Sequence, residues 1–219
     1  MSQLSKLIKL CGFRDPASVA QLDPEKVDMV GFIFAPSKRQ VQLKDFPALQ
    51  EAVPAGLKKV GVFVNPTEEE LDAVFQLGKL DIVQLHGGES ASFCKEVKQN
   101  YAVEVIKAIP VGSDLAGKME QYAEVIDYLL LDTYEPTVAG GTGKTFQWEQ
   151  IPKFYTWCEQ YKVKLLVAGG IHAENVCSLI ESWPLHGVDV SSGIETNGVK
   201  DIGKIELFLE RVENNGNRT

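Results

Sequence analysis

Positive charge is in short supply in this chain. Its 219 residues include 22 lysines and arginines against 30 aspartates and glutamates, for a formal net charge of −8. A sequence-independent nucleic-acid binder needs a basic footprint, so no nucleic-acid partner is expected. An anionic small molecule stays possible, because backbone N–H groups and one arginine suffice for a local anion site. Cysteine is scarce as well. Cys11, Cys94, Cys158 and Cys177 form no CxxC pair and no metal-ligand spacing, so a reduced, cytoplasmic protein without a disulfide framework is expected. The three histidines, His86, His172 and His186, make no HExxH arrangement, which argues against a zinc site. No apolar run approaches the ~18 residues of a membrane span, so no membrane partner is expected. The start of the chain lacks the apolar h-region and small-residue cleavage site of a secretory leader, and reads instead as a first strand.

What the chain does have is eight short apolar runs, nearly all ending in a polar or glycine-rich stop. They read IKLCG, VGFIF, VGVFV, DIVQLHG, VEVIKAI, YLLLDT, LLVAGG and VDVSSG. Runs apolar on successive residues indicate strands buried on both faces, as in a parallel sheet covered by helices. Helix signals fill the gaps. Asp15-Pro16 opens the first connection, and LKDFPALQEAV follows the second run. Thr67 and Glu70 stand at capping-box spacing, and Ser90 precedes Phe93 and Val97 at helical spacing. Ser113 opens a predicted helix, Pro152 marks a helix start, Ala173-Glu174-Asn175 leads into another, and Asp201 begins the last. The tail NNGNRT reads as frayed.

Strand and helix alternating eight times predict a (β/α)8 TIM barrel, with residues 1–219 as one catalytic domain. An open doubly wound sheet would place a GxGxxG fingerprint after its first strand, and Cys-Gly-Phe-Arg-Asp stands there instead. In a closed parallel barrel the residues just past the strand C-termini meet at one face. Here they are Cys11, Arg39, His86, Asp132, Gly169-Gly170 and Ser191-Ser192-Gly193.

Each of these carries two readings. The two glycine turns after the seventh and eighth runs suit a phosphate, since glycine lets the backbone approach a ligand and point N–H groups at it; otherwise they only make tight turns. Gly140 to Lys144 imitates a Walker A loop, but Val138 stands where that motif needs glycine, so the segment reads as a loop that folds over substrate, or as plain surface. Cys11 is a base if a nearby cation lowers its pKa, or a small buried hydrophobe. Asp132, after three leucines, is an acid with a raised pKa, or a cap. Arg39 clamps a carboxylate or is a solvated loop residue. His86 orients substrate or a neighbour, or is structural. Lys107 lies in the mouth near Asp132, or in an internal ion pair.

The motifs together resemble the phosphoribosylanthranilate isomerase family. K-L-C-G, G-F-I-F-x-P-S-K-R, V-G-V-F-V, V-Q-L-H-G, L-L-L-D-T, G-G-T-G-K-T-F-x-W, A-G-G-I-x-x-E-N-V and V-D-V-S-S-G-I-E follow in order between Lys6 and Phe208. The resemblance implies a phosphate-binding barrel of the ribulose-phosphate type. It implies an Amadori rearrangement of a phosphoribosyl substrate in tryptophan synthesis, with no cofactor and no metal. Asp132 would be the general acid and Cys11 the general base. Arg39 would hold the anthranilate carboxylate, and the backbone near Gly141, Gly170, Ser192 and Gly193 the phosphate. His86 is expected among the substrate-binding residues. Ile171-His172 departs from the family pattern without touching the acid–base pair. Two other classes compete: another barrel with a late phosphate site, and a non-catalytic phosphosugar-binding barrel. Retention of both Cys11 and Asp132 argues against the second. A monomer is the default expectation, with a homodimer as the alternative.

Overall fold

A computed structural model describes residues 6–110, 119–132 and 148–216. Eight parallel strands close into a barrel in sequence order. They are β1 (Leu7–Cys11), β2 (Met29–Ile33), β3 (Lys58–Phe63), β4 (Ile82–Leu85), β5 (Glu104–Pro110), β6 (Tyr128–Asp132), β7 (Lys164–Ala168) and β8 (Gly187–Val190). Helices α1 (Pro16–Val19), α2 (Phe46–Glu51), α3 (Glu68–Leu77), α4 (Ala91–Tyr101), α5 (Ile151–Tyr161) and α6 (Val176–Ser182) lie in six of the connections, and α7 (Ile202–Gly216) follows β8. Among the described residues no helix is long and apolar enough to cross a membrane.

The strands are mostly apolar because both of their faces are covered. Side chains alternate across a strand, and the core divides accordingly. One set, including Met29, Val60, Ile82, Ile106, Leu130 and Leu166, fills the barrel interior. The alternate set, including Leu10, Phe32, Val83, Leu129 and Val167, packs outward under the helices.

The predicted caps form. Asp15 accepts from the backbone N–H groups of Ala17 and Ser18, with Pro16 at the helix start. Thr67 and Glu70 make a reciprocal capping box, and Ser90 accepts from the Phe93 N–H. Two expectations change. The fifth connection shows only a short 3-10 turn, Met119–Tyr122, in its described part; its predicted opening at Ser113 lies outside the described residues. The closing helix continues through Gly216, beyond the expected fraying point.

One small sheet was not foreseen. β9 (Glu195–Thr196) and β10 (Val199–Lys200) form a hairpin. Asn197 and Gly198, both at positive φ (53° and 78°), make its two-residue turn.

Candidate active site

Cys11 ends β1 on the interior face, in the same inner cluster as Leu130 and Leu166. It is 4 % exposed. Its neighbour on β2 is Gly31, where a Cβ would stand 2.7 Å from the Cys11 Sγ. Glycine there gives the thiol its space. Gly12 follows at φ +87°; a Cβ on it would meet Arg39 Cδ at 2.8 Å and Ser191 Oγ at 3.1 Å. Arg39, Ser191 and the end of β1 therefore crowd one rim of the mouth.

Asp132 ends β6, two residues above Leu130 on the same face. Its Oδ2 lies 2.9 Å from His86 Nε2. The Gln84 amide nitrogen in turn lies 2.9 Å from His86 Nδ1. The amide donates to Nδ1, so the ring hydrogen sits on Nε2 and is donated to Asp132. His86 is thereby a residue that orients Asp132, the neighbour-orienting half of its sequence expectation. Both side chains are about a quarter to a third exposed, as suits residues meeting a ligand.

The loop carrying His86 is pinned from outside the barrel. Lys107 does not point into the mouth; its ammonium bonds Glu89 Oε2 at 3.0 Å and the carbonyls of Leu85, Gly87 and Ala108. Glu89 also accepts from the N–H groups of Asn65 and Gly87. Of the two readings of Lys107, the structure selects the internal ion pair.

Arg39 is held by Glu195. Nε and Nη2 each approach a different Glu195 oxygen at 2.7 Å, a bidentate pair. Lys200 donates to the same carboxylate at 2.7 Å and to the Ser191 carbonyl at 3.0 Å. Burial alone would raise the Glu195 carboxyl, but the two cations outweigh it and hold it at about 2. The Arg39 fork thus arrives at the rim already oriented, with its Nη1 side turned away from Glu195.

The glycine turns are also shaped by necessity. Gly169 and Gly170 both have positive φ, 89° and 63°. Nothing lies within 4 Å of a Cβ built on Gly170, so this stretch of backbone borders open space. Asn175 braces it, donating to the Gly170 carbonyl and accepting from the His172 N–H. At Gly193 a Cβ would collide with the Ile171 carbonyl and with His172. That contact brings the turn after β8 against the turn after β7. Ser192 begins the single 3-10 turn there. Gly141 lies outside the described residues.

Sequence reasoning missed Lys9, Asp189, Glu195 and Lys200. Ser191 Oγ is buried without a hydrogen-bond partner among the described residues. The Asn197-Gly198 pair was a readable hairpin signal and would have folded Lys200 back toward Glu195. Lys9 and Asp189 were charges inside apolar runs, a pattern that asks for a partner.

The family model for N-(5'-phosphoribosyl)anthranilate (PRA) isomerase matches residues 8–211. Enzymes of that name from Brevibacillus brevis and Listeria monocytogenes are 47% and 44% identical to this chain. The first alignment covers 94% of this chain and 93% of the relative, the second 93% and 96%. The phosphoribosyl anthranilate isomerase of Thermotoga maritima superposes with a TM-score of 0.78 at 33% identity, over 95% of this chain and 99% of that one. A further isomerase structure, in complex with reduced 1-(o-carboxyphenylamino)-1-deoxyribulose 5-phosphate, superposes with a TM-score of 0.76 at 31% identity, over the same shares. With the barrel, its mouth and these likenesses in agreement, the chain belongs to the N-(5'-phosphoribosyl)anthranilate isomerase family.

Proposed function

We propose that Cys11 and Asp132 are the base and acid with which this barrel rearranges N-(5-phosphoribosyl)anthranilate to 1-(2-carboxyphenylamino)-1-deoxyribulose 5-phosphate. This is an aldose-to-ketose isomerisation of tryptophan biosynthesis. The whole chain serves as one catalytic barrel. The observation that carries the assignment is the meeting of a thiol and a histidine-oriented carboxyl at the C-terminal ends of β1 and β6, on the face where barrel enzymes do their chemistry.

The steps follow from those two groups. Asp132 gives its proton to the ribose ring oxygen; the C1–O bond breaks, and the nitrogen lone pair forms the iminium. A protonated Asp132 keeps its bond from His86 on Oδ2 and carries its own proton on Oδ1. The Cys11 thiolate then takes the proton from C2. The C2–H electron pair forms the C1–C2 double bond and returns the iminium electrons to nitrogen. The enolamine tautomerises to the ketone. Substrate and product are isomers, so no electrons enter or leave.

The anchors suit the two anionic ends of the substrate. Arg39 takes the anthranilate carboxylate on the side of its fork turned from Glu195. The backbone around Gly170, Ser192 and Gly193, with Gly141, takes the phosphate. Two fixed ends hold C1 and C2 between acid and base, and such positioning supplies much of a rate enhancement.

The test is a fluorescence assay in which phosphoribosylanthranilate is made in situ from anthranilate and phosphoribosyl pyrophosphate. Rapid consumption by the wild type and almost none by Cys11→Ala is the expected result. A folded Cys11→Ala protein that turns over normally removes Cys11 as the base.

A further inference from the structure

A base must give up its proton, and the position of Cys11 works against that. Burial pushes its thiol above the ordinary value, and Asp189 adds to the push; Lys9 and Lys200 pull it down. Four charged groups therefore bear on the sulfur: Lys9 from β1, Asp189 from β8, Lys200 from β10 and Arg39 from the loop after β2. The adjoining position on β2 is Gly31, which adds none. Lys200 and Arg39 are both bound to the Glu195 carboxylate.

Lys9 is placed differently. It sits two residues before Cys11, on the same interior face of β1, and is fully buried. Around it the barrel interior is apolar: Met29, Val60, Ile82, Ile106 and Leu166. The β1–β8 register sets Lys9 opposite Asp189, and its Nζ donates to Asp189 Oδ1 at 2.9 Å. An ammonium carries three N–H bonds; Asp189 takes one, and the thiol above is in electrostatic contact with the same group. A buried ion pair is weak support for stability, since apolar residues of similar volume often do as well. This pair asks for another reason.

We propose that Lys9 is a positioning residue for the isomerisation, holding a fixed positive charge beneath Cys11 so that the sulfur is available as thiolate when the substrate arrives. Asp189 fixes the ammonium in place. Lys9 stays protonated throughout and transfers no proton; the proton leaving Cys11 goes to solvent before substrate closes the mouth. The inference rests on the reading of Cys11 as base.

The experiment titrates the thiolate by its ultraviolet absorbance in the intact enzyme. Subtracting the Cys11→Ser counterpart of each protein isolates Cys11 from Cys94, Cys158 and Cys177. In Lys9→Met the Cys11 titration moves up by about one unit or more. Asp189→Asn moves it down, opposite in sign. The acidic limb of kcat/KM follows the titration in each variant, while KM changes less, and Lys9→Arg recovers part of the loss. Lys9→Met leaves Asp189 unpaired and is at risk of misfolding. The double variant Lys9→Met/Asp189→Asn keeps the interior neutral, and its titration stays above that of the wild type. An unmoved titration in the folded single or double Lys9 variant overturns the proposal, as does an upward shift in Asp189→Asn. The two readings fail separately. Normal turnover by Cys11→Ala sinks the base assignment whatever the titration shows, whereas an inactive Cys11→Ala with an unmoved titration sinks only the role of Lys9.

Discussion

Among the described residues, two lysines are buried in the barrel strands, each paired with a carboxylate, on opposite faces of the sheet. Lys107 points outward and is saturated: Glu89 and three backbone carbonyls surround its ammonium. Lys9 points inward and bonds one carboxylate oxygen among the described residues, below a thiol. An ammonium with every N–H bound to fixed backbone acts as a strut. An ammonium with N–H bonds to spare beside an ionisable group keeps its field available to chemistry. The outer pair holds the His86 loop in place, and the inner pair sets the surroundings of Cys11. Burial and pairing alone do not separate the two roles; the count of acceptors and the identity of the next neighbour do.

If the inner face is chemistry and the outer face is support, losses of activity and of stability should come apart. The largest expected effect is on turnover: Cys11→Ala and Asp132→Ala each lower kcat by ~10²- to 10⁴-fold, with denaturation midpoints near wild type. A normal rate in either variant breaks the inner half of the comparison. Next is Lys107→Met, which strands Glu89 and costs about 3–5 kcal/mol of stability in urea unfolding. Unchanged unfolding would break the outer half. Arg39→Ala raises KM on the order of 10- to 100-fold, as loss of a charged hydrogen-bonding group does, and lowers kcat less. An unchanged KM removes Arg39 from the substrate carboxylate.

The smallest effect belongs to Glu195→Gln and appears only in acid. The Glu195 carboxyl lies near 4.5 in its ordinary state and at about 2 in the fold. A depressed carboxyl contributes stability that is fully present above about 4.5 and disappears as pH falls toward 2. The wild type should therefore lose more stability between those limits than Glu195→Gln. Equal acid limbs would mean that the Arg39–Glu195–Lys200 cluster adds nothing to folding.

The barrel was legible because its strands announce themselves twice, by continuous apolar runs and by polar stops. Cys11, His86 and Asp132 were legible for the same reason, being the residues at those stops. Pairings across the barrel were not. Asp189 lies opposite Lys9 only because β8 closes on β1, and no local pattern encodes that register. The engagement of Arg39 by Glu195 needed the hairpin at Asn197-Gly198, whose turn signal was present but had no evident role without the fold. The direction of Lys107 depended on the parity of one strand: a slip of a single residue along β5 would have turned it inward.

The β1–β8 seam also has a consequence in time. Lys9 and Asp189 are 180 residues apart in the chain, and β1 leaves the ribosome long before β8 exists. Until the last strand arrives, Cys11 belongs to an open sheet edge, with neither Asp189 nor Lys200 beside it. The first cysteine to be synthesised is thus among the last to receive its mature surroundings, which form only once β8 and the hairpin after it have been made.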